Sequence, residues 1–378
     1  MEELENMKKT FAILLTVLMV LAMVACQAPA ATTAPAADAA PAAEAAPAEE
    51  AAPAEEAAPV EEAPADDTVY TLVYGHMSNP ADIPGQMADN LAALVKEKSN
   101  GRLIIEVYPS SQIGSQAELP EMVQTGTIAM SHCTQSVLGN WYSEFSALDT
   151  PYLYDNVDQL LKVNAMDSPL ITRLNQELIN ASGVRLLYNY YAGARQLTCN
   201  KAVYTPADLA GVKIRAIAQP MYVCAVEGMG AVATPLDWSE VITSLGTGLI
   251  DGQENPADVL YANNMWEVQK YVMKTHHFLF TGAVMINDEI FNALPADLQQ
   301  ILLDCCQEIQ LSTSKSFVDN EENLLKKCEE NGMTIIDESN GLDLAAFQAS
   351  VAKKVDETFG DQYAGIYKEI EELKAQAD

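Results

Sequence analysis

The stretch "DLAGVKIRAIAQP" (208–220) decides the fold class, and "LGTGLIDGQENP" (245–256) supports it further along the chain. The first predicts a turn that leads into an apolar strand over residues 212–217, with Arg215 inside it. The second predicts a helix end at its glycines, a short apolar strand, and a polar loop that reaches Asn255. Ligands of open α/β sheets bind where strands end in this way. Together the two stretches predict a cleft that presents an arginine and an asparagine to a small acid.

Arg215 is the most informative residue of the cleft. Burying a guanidinium group alone costs several kcal/mol, so an arginine in an apolar strand indicates that an anion compensates it. Its planar fork matches the two oxygens of a carboxylate and keeps its proton. The alternative is an internal salt bridge with Glu240 or Asp251, and the residues alone leave both interpretations open.

Helical and strand-like patterns alternate over the 311 residues after position 67, which favours an α/β fold with two lobes. One apolar and aromatic strand, 184–191, is suited to cross between the lobes. A helix over 294–332 exceeds the common globular length and could span both lobes. Further strands are predicted at 69–76, 103–108 and 128–130, and further helices at 81–98, 118–124, 159–179, 221–229, 238–245 and 343–377.

The segments "PEMVQTGTIAMSHCTQ" (120–135) and "VITSLGTGLIDGQENP" (241–256) share one plan of helix, glycine, short apolar strand and polar loop. Two such units, one in each lobe, would direct their strand-end loops at a common cleft. Any βαβ protein can repeat this order, so the similarity alone does not establish a repeat.

The N-terminal part of the chain predicts export. Lysines precede an apolar run over 11–23 that is short for a transmembrane helix, and small residues precede Cys26, as at a lipoprotein cleavage site. A diacylated Cys26 would anchor the mature chain to the membrane; the alternative is an ordinary secretory signal. Residues 27–67 combine Ala, Pro and paired acids and predict a disordered tether. The net charge of −32 argues against nucleic-acid binding.

The phrases "GARQLT" (193–198), "TPADLAGVKIRAIAQP" (205–220) and "MGAVATPLDWSEVITSLGTGLIDGQENP" (229–256) resemble the solute-binding proteins of tripartite ATP-independent periplasmic (TRAP) transporters. "SQIGSQAELPEMVQTGTIAM" (111–130) and "LDTPYLYDN" (148–156) extend the resemblance over most of residues 69–359. It implies a two-lobed, type II periplasmic-binding-protein-like fold, with lobe I at 68–192 plus 281–320 and lobe II at 193–280 plus 321–378. It also implies an extracytoplasmic receptor that closes on a small organic acid and delivers it to a TRAP-type membrane permease.

The resemblance assigns roles to three residues. Arg215 in "GVKIR" matches the carboxylate-binding arginine, Arg195 in "GARQLT" matches a second arginine near that carboxylate, and Asn255 in "DGQENP" matches a carboxamide at the same ligand end. Without the resemblance, Arg195 reads as a loop charge and Asn255 as part of an Asn-Pro turn. Other candidates for the ligand site, for each of which core packing or surface exposure is the alternative, are His76, Gln135, Tyr191, Tyr222, Trp238 and Tyr261.

Other functions have little support in the residues. No GxSxG, HExxH, P-loop or GxGxxG pattern is present. Cys133 beside His132 makes a poor nucleophile–base pair, because strand neighbours point to opposite faces. We expect no enzymatic activity, no cofactor and no metal site. The cysteines of the body, which we expect to be mostly free and partly buried thiols, are Cys133, Cys199, Cys224, Cys305, Cys306 and Cys328. A binding protein that feeds a signalling receptor, or a surface lipoprotein without a ligand, would be compatible with the same sequence.

Overall fold

The computed structural model describes residues 68–376. The predicted leader, Cys26 and the predicted tether lie outside the described residues. The strands are β1 (Tyr70–Gly75), β2 (Leu103–Tyr108), β3 (Met130–Thr134), β4 (Val184–Cys199), β5 (Lys213–Ala216), β6 (Val232–Pro235), β7 (Gly252–Pro256), β8 (Tyr271–Asn287) and β9 (Thr334–Ile336). The helices are α1 (Ile83–Lys98), α2 (Glu118–Gln124), α3 (Val157–Val163), α4 (Pro169–Ser182), α5 (Pro220–Gly228), α6 (Trp238–Thr247), α7 (Ala257–Ala262), α8 (Asp288–Ala293), α9 (Ala296–Glu330) and α10 (Leu344–Lys374).

Two long antiparallel strands, β4 and β8, hold the molecule together. The strands are ordered β2-β1-β3-β8-β4-β7-β5-β6, with β9 beside β8. The first half of β4 pairs with the last half of β8, next to β3, and the second half of β4 pairs with the first half of β8, next to β7. The register shifts between Tyr191 and Ala194, around Gly193, whose φ is +90°. The irregularity therefore separates the two ends of the sheet, which we call lobe I (β1 to β3) and lobe II (β5 to β7).

The predicted crossover strand is confirmed and is longer than expected. β8 was not predicted at all, although its 17 residues make the most extensive pairing of the sheet. The predicted single helix over 159–179 is wrong: it is two helices, α3 and α4. The break is local, because Asn164 ends α3, Ser168 caps α4 by accepting from the N–H of Ile171, and Pro169 occupies the first turn of α4.

Helix α9 spans both lobes, as predicted. Its first part places residues such as Leu302 and Phe317 in the main hydrophobic core, and its last part places Leu325 and Cys328 in a second, smaller core. Helix α10 also connects the two ends of the sheet, since it packs on α5 in lobe II and ends near α3, where Lys374 donates to the carbonyl of Leu153. The six body cysteines are buried and free. Within the described range, no helix has the length and apolarity needed to cross a bilayer.

The two similar sequence segments form equivalent structures. In lobe I, α2 leads into β3, which runs parallel to β1 and antiparallel to β8. In lobe II, α6 leads into β7, which runs parallel to β5 and antiparallel to β4. Strands β3 and β7 thus occupy equivalent places on either side of the β4–β8 pair. Both strands end at the space between the lobes.

Candidate functional site

A cavity of about 80 Å³ lies between the lobes, where β3, β5 and β7 end. Both lobes contribute to its walls, and several of the side chains are polar and buried. The residues around it are Met77, Ser78, Asp82, Pro84, Gln116, His132, Cys133, Thr134, Tyr190, Arg195, Arg215, Ile217, Trp238, Asn255, Val259 and Phe280.

Arg215 reaches this cavity from β5 and is 1% exposed. Its Nε donates to the carbonyl of Leu236 at 3.0 Å, and its Nη2 donates to Oε1 of Gln116, across the cleft, at 3.3 Å. Its Cζ lies 5.9 Å from the ring centroid of Trp238. Within residues 68–376 it forms no ion pair, so the predicted alternative of a salt bridge with Glu240 or Asp251 is wrong.

The charge of Arg215 is therefore uncompensated by any adjacent carboxylate. Burial lowers its pKa to about 10, and although Glu254 opposes this, the charge of Arg195 lowers it further. A guanidinium carries five N–H donors, of which two have protein acceptors here. The group is thus a buried cation with spare donors beside a cavity, which is the arrangement that binds an anion.

Arg195 is also buried beside the cavity, but it has a carboxylate partner. Its Nε and Nη2 donate to the two oxygens of Glu254, and Nη2 also donates to Oδ1 of Asn255 at 3.0 Å. Burial alone would raise the pKa of Glu254, but the charge of Arg195 and a hydrogen bond from His277 lower it to about 2. Because burial keeps the pKa of His277 low, its neutral ring donates from Nε2 to Glu254 and accepts at Nδ1 from Thr275.

This network fixes Asn255 at the end of β7. Its Oδ1 accepts from Arg195, and its Nδ2 donates to Gln253, which in turn donates to the hydroxyl of Thr198. The ring of Phe280 lies 4.6 Å from Cζ of Arg195. Arg195 and Glu254 neutralise each other. Of the described residues on the lobe II side of the cavity, Arg215 is then the one charged side chain without an oppositely charged partner.

On the lobe I side, His132 is held by two hydroxyl groups. Tyr74 contacts its Nδ1 at 3.0 Å and Ser78 contacts its Nε2 at 2.9 Å. Burial lowers the pKa of His132 and raises that of Cys133. This is the opposite of what a cysteine nucleophile needs, because the thiolate is the reactive form.

The structure places Arg215, Arg195, Asn255 and Trp238 at the cavity. The other five predicted site residues do not line it. His76 stacks behind His132 at 4.8 Å, and Gln135 turns into lobe I to donate to Asn164.

The remaining three face other parts of the fold. Tyr191 points to α9, where its hydroxyl donates to Glu321. Tyr222 stacks on Phe278 beneath Arg195, with its ring centroid 5.4 Å from Cζ of Arg195. Tyr261 belongs to an adjacent cavity. Residues of the cavity that the sequence analysis did not single out include Ser78, Asp82, Gln116, Thr134 and Phe280.

A larger depression of about 960 Å³ lies on the outside of lobe I, against α3, α4 and α9. It includes neither Arg195 nor Arg215 and is bordered by exposed apolar residues of α9, including Leu311. The smaller cavity combines polar side chains from both lobes with the unpaired arginine, and it therefore is the candidate binding site.

A cleft between two lobes that are joined by crossing strands, with a buried unpaired cation in it, defines a ligand-binding receptor. Comparison with known proteins agrees with this class. Residues 74–362 match the family model described as bacterial extracellular solute-binding protein, family 7. The chain belongs to this family, whose members are binding proteins of transporters and not enzymes.

Individual relatives are similar over most of their length. The 2,3-diketo-L-gulonate-binding periplasmic protein of Escherichia coli is 29% identical over 308 residues, which are 80% of this chain and 92% of that protein. A TRAP periplasmic solute-binding protein of Roseobacter denitrificans, solved with bound L-galactonate, has a TM-score of 0.74 at 28% identity, covering 79% of this chain and 98% of that one. One from Ochrobacterium anthropi, solved with bound L-fuconate, has a TM-score of 0.76 at 29% identity, covering 82% and 100%.

Proposed function

We propose that this protein is an extracytoplasmic receptor that captures a small organic acid between its lobes and delivers it to a TRAP-type membrane permease. The observation that carries the proposal is the state of Arg215 at the interlobe cavity. Its guanidinium is fully buried, has spare donors and has no carboxylate partner among residues 68–376. The acids bound by the similar solved proteins, L-galactonate and L-fuconate, support a ligand with a carboxylate.

In this proposal the ligand carboxylate accepts two N–H bonds from the fork of Arg215. Such charge-assisted bonds contribute roughly 1.5–3 kcal/mol each when water is excluded. Arg195 and Asn255 complete the donor set, with Arg195 held in place by Glu254. Glu254 thus lets the site keep a second arginine without accumulating a charge of +2 that a monoanion could not compensate.

Lobe closure is the second part of the proposal. Gln116 of lobe I accepts from Arg215 of lobe II, so the two lobes already meet at the guanidinium. Opening of the lobes, about the irregular segment near Gly193 in β4, would admit the acid. Closing would then remove water from the carboxylate and strengthen each hydrogen bond to it. The closed form is the one that a permease would recognise.

Placement at the membrane is also part of the proposal. The family is extracellular by description, and the sequence features before residue 27 support export with a lipid anchor on Cys26. Labelling cells with a fatty-acid analogue tests the anchor: the wild-type protein takes up label, and a Cys26→Ser variant does not. Label on the Cys26→Ser variant would place the modification elsewhere.

The function is tested by melting the purified protein against a panel of organic acids. An acid at a hundred times its dissociation constant stabilises the folded state by about 2.7 kcal/mol, which is readily detected. We expect stabilisation by one class of acids and none by the matching neutral amides. Equal stabilisation by acid and amide would contradict the carboxylate clamp. If no acid acts even after release of any co-purified ligand by unfolding and refolding, the receptor proposal is wrong.

A further inference from the structure

A second cavity, of about 300 Å³, adjoins the ligand cavity and shares one wall with it, Asp82. It lies between α1 of lobe I, α7 of lobe II and the spanning helix α9. Among the described residues around it, two are acidic and none is Lys, Arg or His. They are Ala81, Asp82, Ile83, Gln86, Met87, Asn90, Asp258, Tyr261, Ala262, Ser312, Thr313, Ser316, Asn320 and Leu324.

Asp258, in the first turn of α7, is the unusual member of this set. It is 4% exposed, and neither of its carboxylate oxygens has a hydrogen-bond partner among the described residues. Buried polar groups are nearly always hydrogen-bonded, and leaving one unpaired is costly. Burial raises the pKa of Asp258, and the nearby charge of Asp82 raises it further. The N–H groups of Val259 and Ile83 lie near the carboxylate and oppose this rise, but neither meets the geometry of a hydrogen bond. A group in this state is suited to a cationic partner.

Asp82 faces Asp258 from the start of α1. Its oxygens accept from the N–H groups of Gly85 at 2.7 Å and Asn79 at 3.0 Å, which fixes the carboxylate and leaves it further acceptor capacity. It is 5% exposed. One acid is thus rigidly positioned by backbone donors and the other has no partner, and the two lie on opposite lobes.

Uncharged oxygen atoms around this cavity are further possible ligands of a cation. Asn320 on α9 uses Nδ2 to donate to the carbonyl of Ser316, and Gln86 on α1 uses Nε2 to donate to the carbonyl of Ala81. Each amide retains a carbonyl oxygen that can accept or bind a cation. The hydroxyl groups of Ser316 and Thr313 lie on the same side of α9. Hard cations prefer such a mixture of carboxylate, amide and hydroxyl oxygens.

We propose that this second cavity binds a hard divalent cation of the Ca²⁺ type through Asp82 and Asp258. Two carboxylates match a charge of +2, and no described residue of the wall is Cys or His, which disfavours Zn²⁺. The roomy, irregular cavity suits the flexible six to eight oxygen ligands of Ca²⁺, with water filling the remaining positions, better than the strict octahedron of Mg²⁺.

The position of the site gives the cation a consequence for the receptor. Its ligands come from α1 of lobe I, α7 of lobe II and α9, so a bound cation joins both lobes to the spanning helix. Because Asp82 also lines the ligand cavity, the cation site is directly behind the wall of the acid site. Occupancy would favour the closed arrangement of the lobes independently of which acid is bound.

The test uses the purified, chelator-treated protein with no acid present, so that its outcome is independent of the proposed function. Extracellular Ca²⁺ modules have dissociation constants of roughly 0.1–1 mM, and about 10 mM CaCl₂ should raise the melting temperature by roughly 3–8 °C. MgCl₂ and NaCl at equal ionic strength should have a much smaller effect. Saturable binding by calorimetry should give the same constant.

Asp258→Asn should abolish the Ca²⁺ response and raise the melting temperature in its absence, because it removes an unpaired buried acid without changing shape. The matched control, Asp89→Asn, replaces an exposed acid on α1 and should leave the response unchanged. Should the Asp258 variant fail to fold, Tb³⁺ luminescence excited through Tyr261 gives a second readout on the wild-type protein, with displacement by Ca²⁺ expected. The proposal is overturned if Ca²⁺ has no saturable effect, if Mg²⁺ or Na⁺ matches it, or if Asp258→Asn responds like the wild type.

Discussion

The two arginines of the cleft should respond to the same substitution with opposite signs. Replacing Arg215 by Met removes a buried charge that has no carboxylate partner. Replacing Arg195 by Met leaves Glu254 buried without its cation. The side chains are equally buried, so the difference in stability between the two variants reports only on the partners of each charge.

The magnitude for Arg215 follows from its pKa. Its fall to about 10 corresponds to about 3 kcal/mol of destabilisation of the charged form in the folded protein, relative to an arginine in water, since one pKa unit equals about 1.4 kcal/mol. The variant also loses the hydrogen bonds to Leu236 and Gln116, each contributing about 1 kcal/mol. We therefore expect Arg215→Met to stabilise the ligand-free protein by about 1 kcal/mol while it abolishes acid binding.

For Arg195→Met we expect a loss of about 3–5 kcal/mol, the usual cost of removing one partner of a buried ion pair. The assay is urea unfolding of the ligand-free proteins at neutral pH, monitored by circular dichroism. The free energies of unfolding of the two variants and the wild type are compared, provided that their dependence on urea concentration (the m value) is the same. Equal destabilisation by Arg215→Met and Arg195→Met would mean that a group in the folded protein compensates the charge of Arg215. That result would contradict the prediction.

Three further predictions concern neighbouring groups. The pKa of Glu254 is lowered to about 2, so the stability that its charge contributes should be present above pH 4.5 and lost as pH falls towards 2. The Glu254→Gln variant should be less stable than the wild type at pH 7, and its stability should change less between pH 4.5 and 2. Burial raises the pKa of Asp149 to about 7, so its ionisation in the folded protein should lower the melting temperature as pH rises from about 4 through 7. Asp149→Asn should remove this fall in melting temperature, and an unchanged fall in the variant would contradict the assignment. Trp238 lies beside Arg215 at the cavity, so acid binding should change its fluorescence, and Trp238→Phe should remove most of that signal; a full signal in the variant would mean that another tryptophan reports binding.

The sequence was sufficient to predict the fold where local patterns are strong. Strand β2 and helix α2 were predicted with their observed bounds, and the length of α9 was predicted from its amphipathic pattern. Strand β8 was missed because its residues are buried on both faces where it runs between β3 and β4, so it lacks the alternation that identifies a half-exposed strand. Its role depends on pairing with residues about 90 positions earlier in the chain.

Four of the predicted site residues line the cavity and five do not, and two of those five miss it by one position. Tyr191 was predicted at the ligand site, but its neighbour Tyr190 lines the cavity. Gln135 was also predicted, but its neighbour Thr134 lines the cavity. Successive residues of a strand point to opposite faces, so an error of one position reverses the direction of a side chain. The bulge near Gly193 and the turn after β3 decide these directions, and neither can be read from composition.

The Glu254 network was missed for a different reason. Glu254 and Arg195 are 59 positions apart and pair only because β4 lies beside β7. The sequence alone therefore assigned no role to the carboxylate in "DGQENP". Its partner could have been inferred from the physical requirement that two arginines in one buried cleft need at least one anion besides the ligand.

The most direct test of the central claim, that a ligand carboxylate binds to Arg215, is a calorimetric comparison of one acid and its amide. The acid that most stabilises the protein, and its neutral primary amide, are titrated into the wild type and into Arg215→Lys. We predict that the acid binds the wild type at least about 30-fold more tightly than it binds the variant, because loss of one charge-assisted bond of about 2 kcal/mol gives that ratio. The amide should bind weakly and equally to both proteins. Unchanged affinity of the acid for Arg215→Lys, or an amide that binds the wild type as tightly as the acid, would contradict the account.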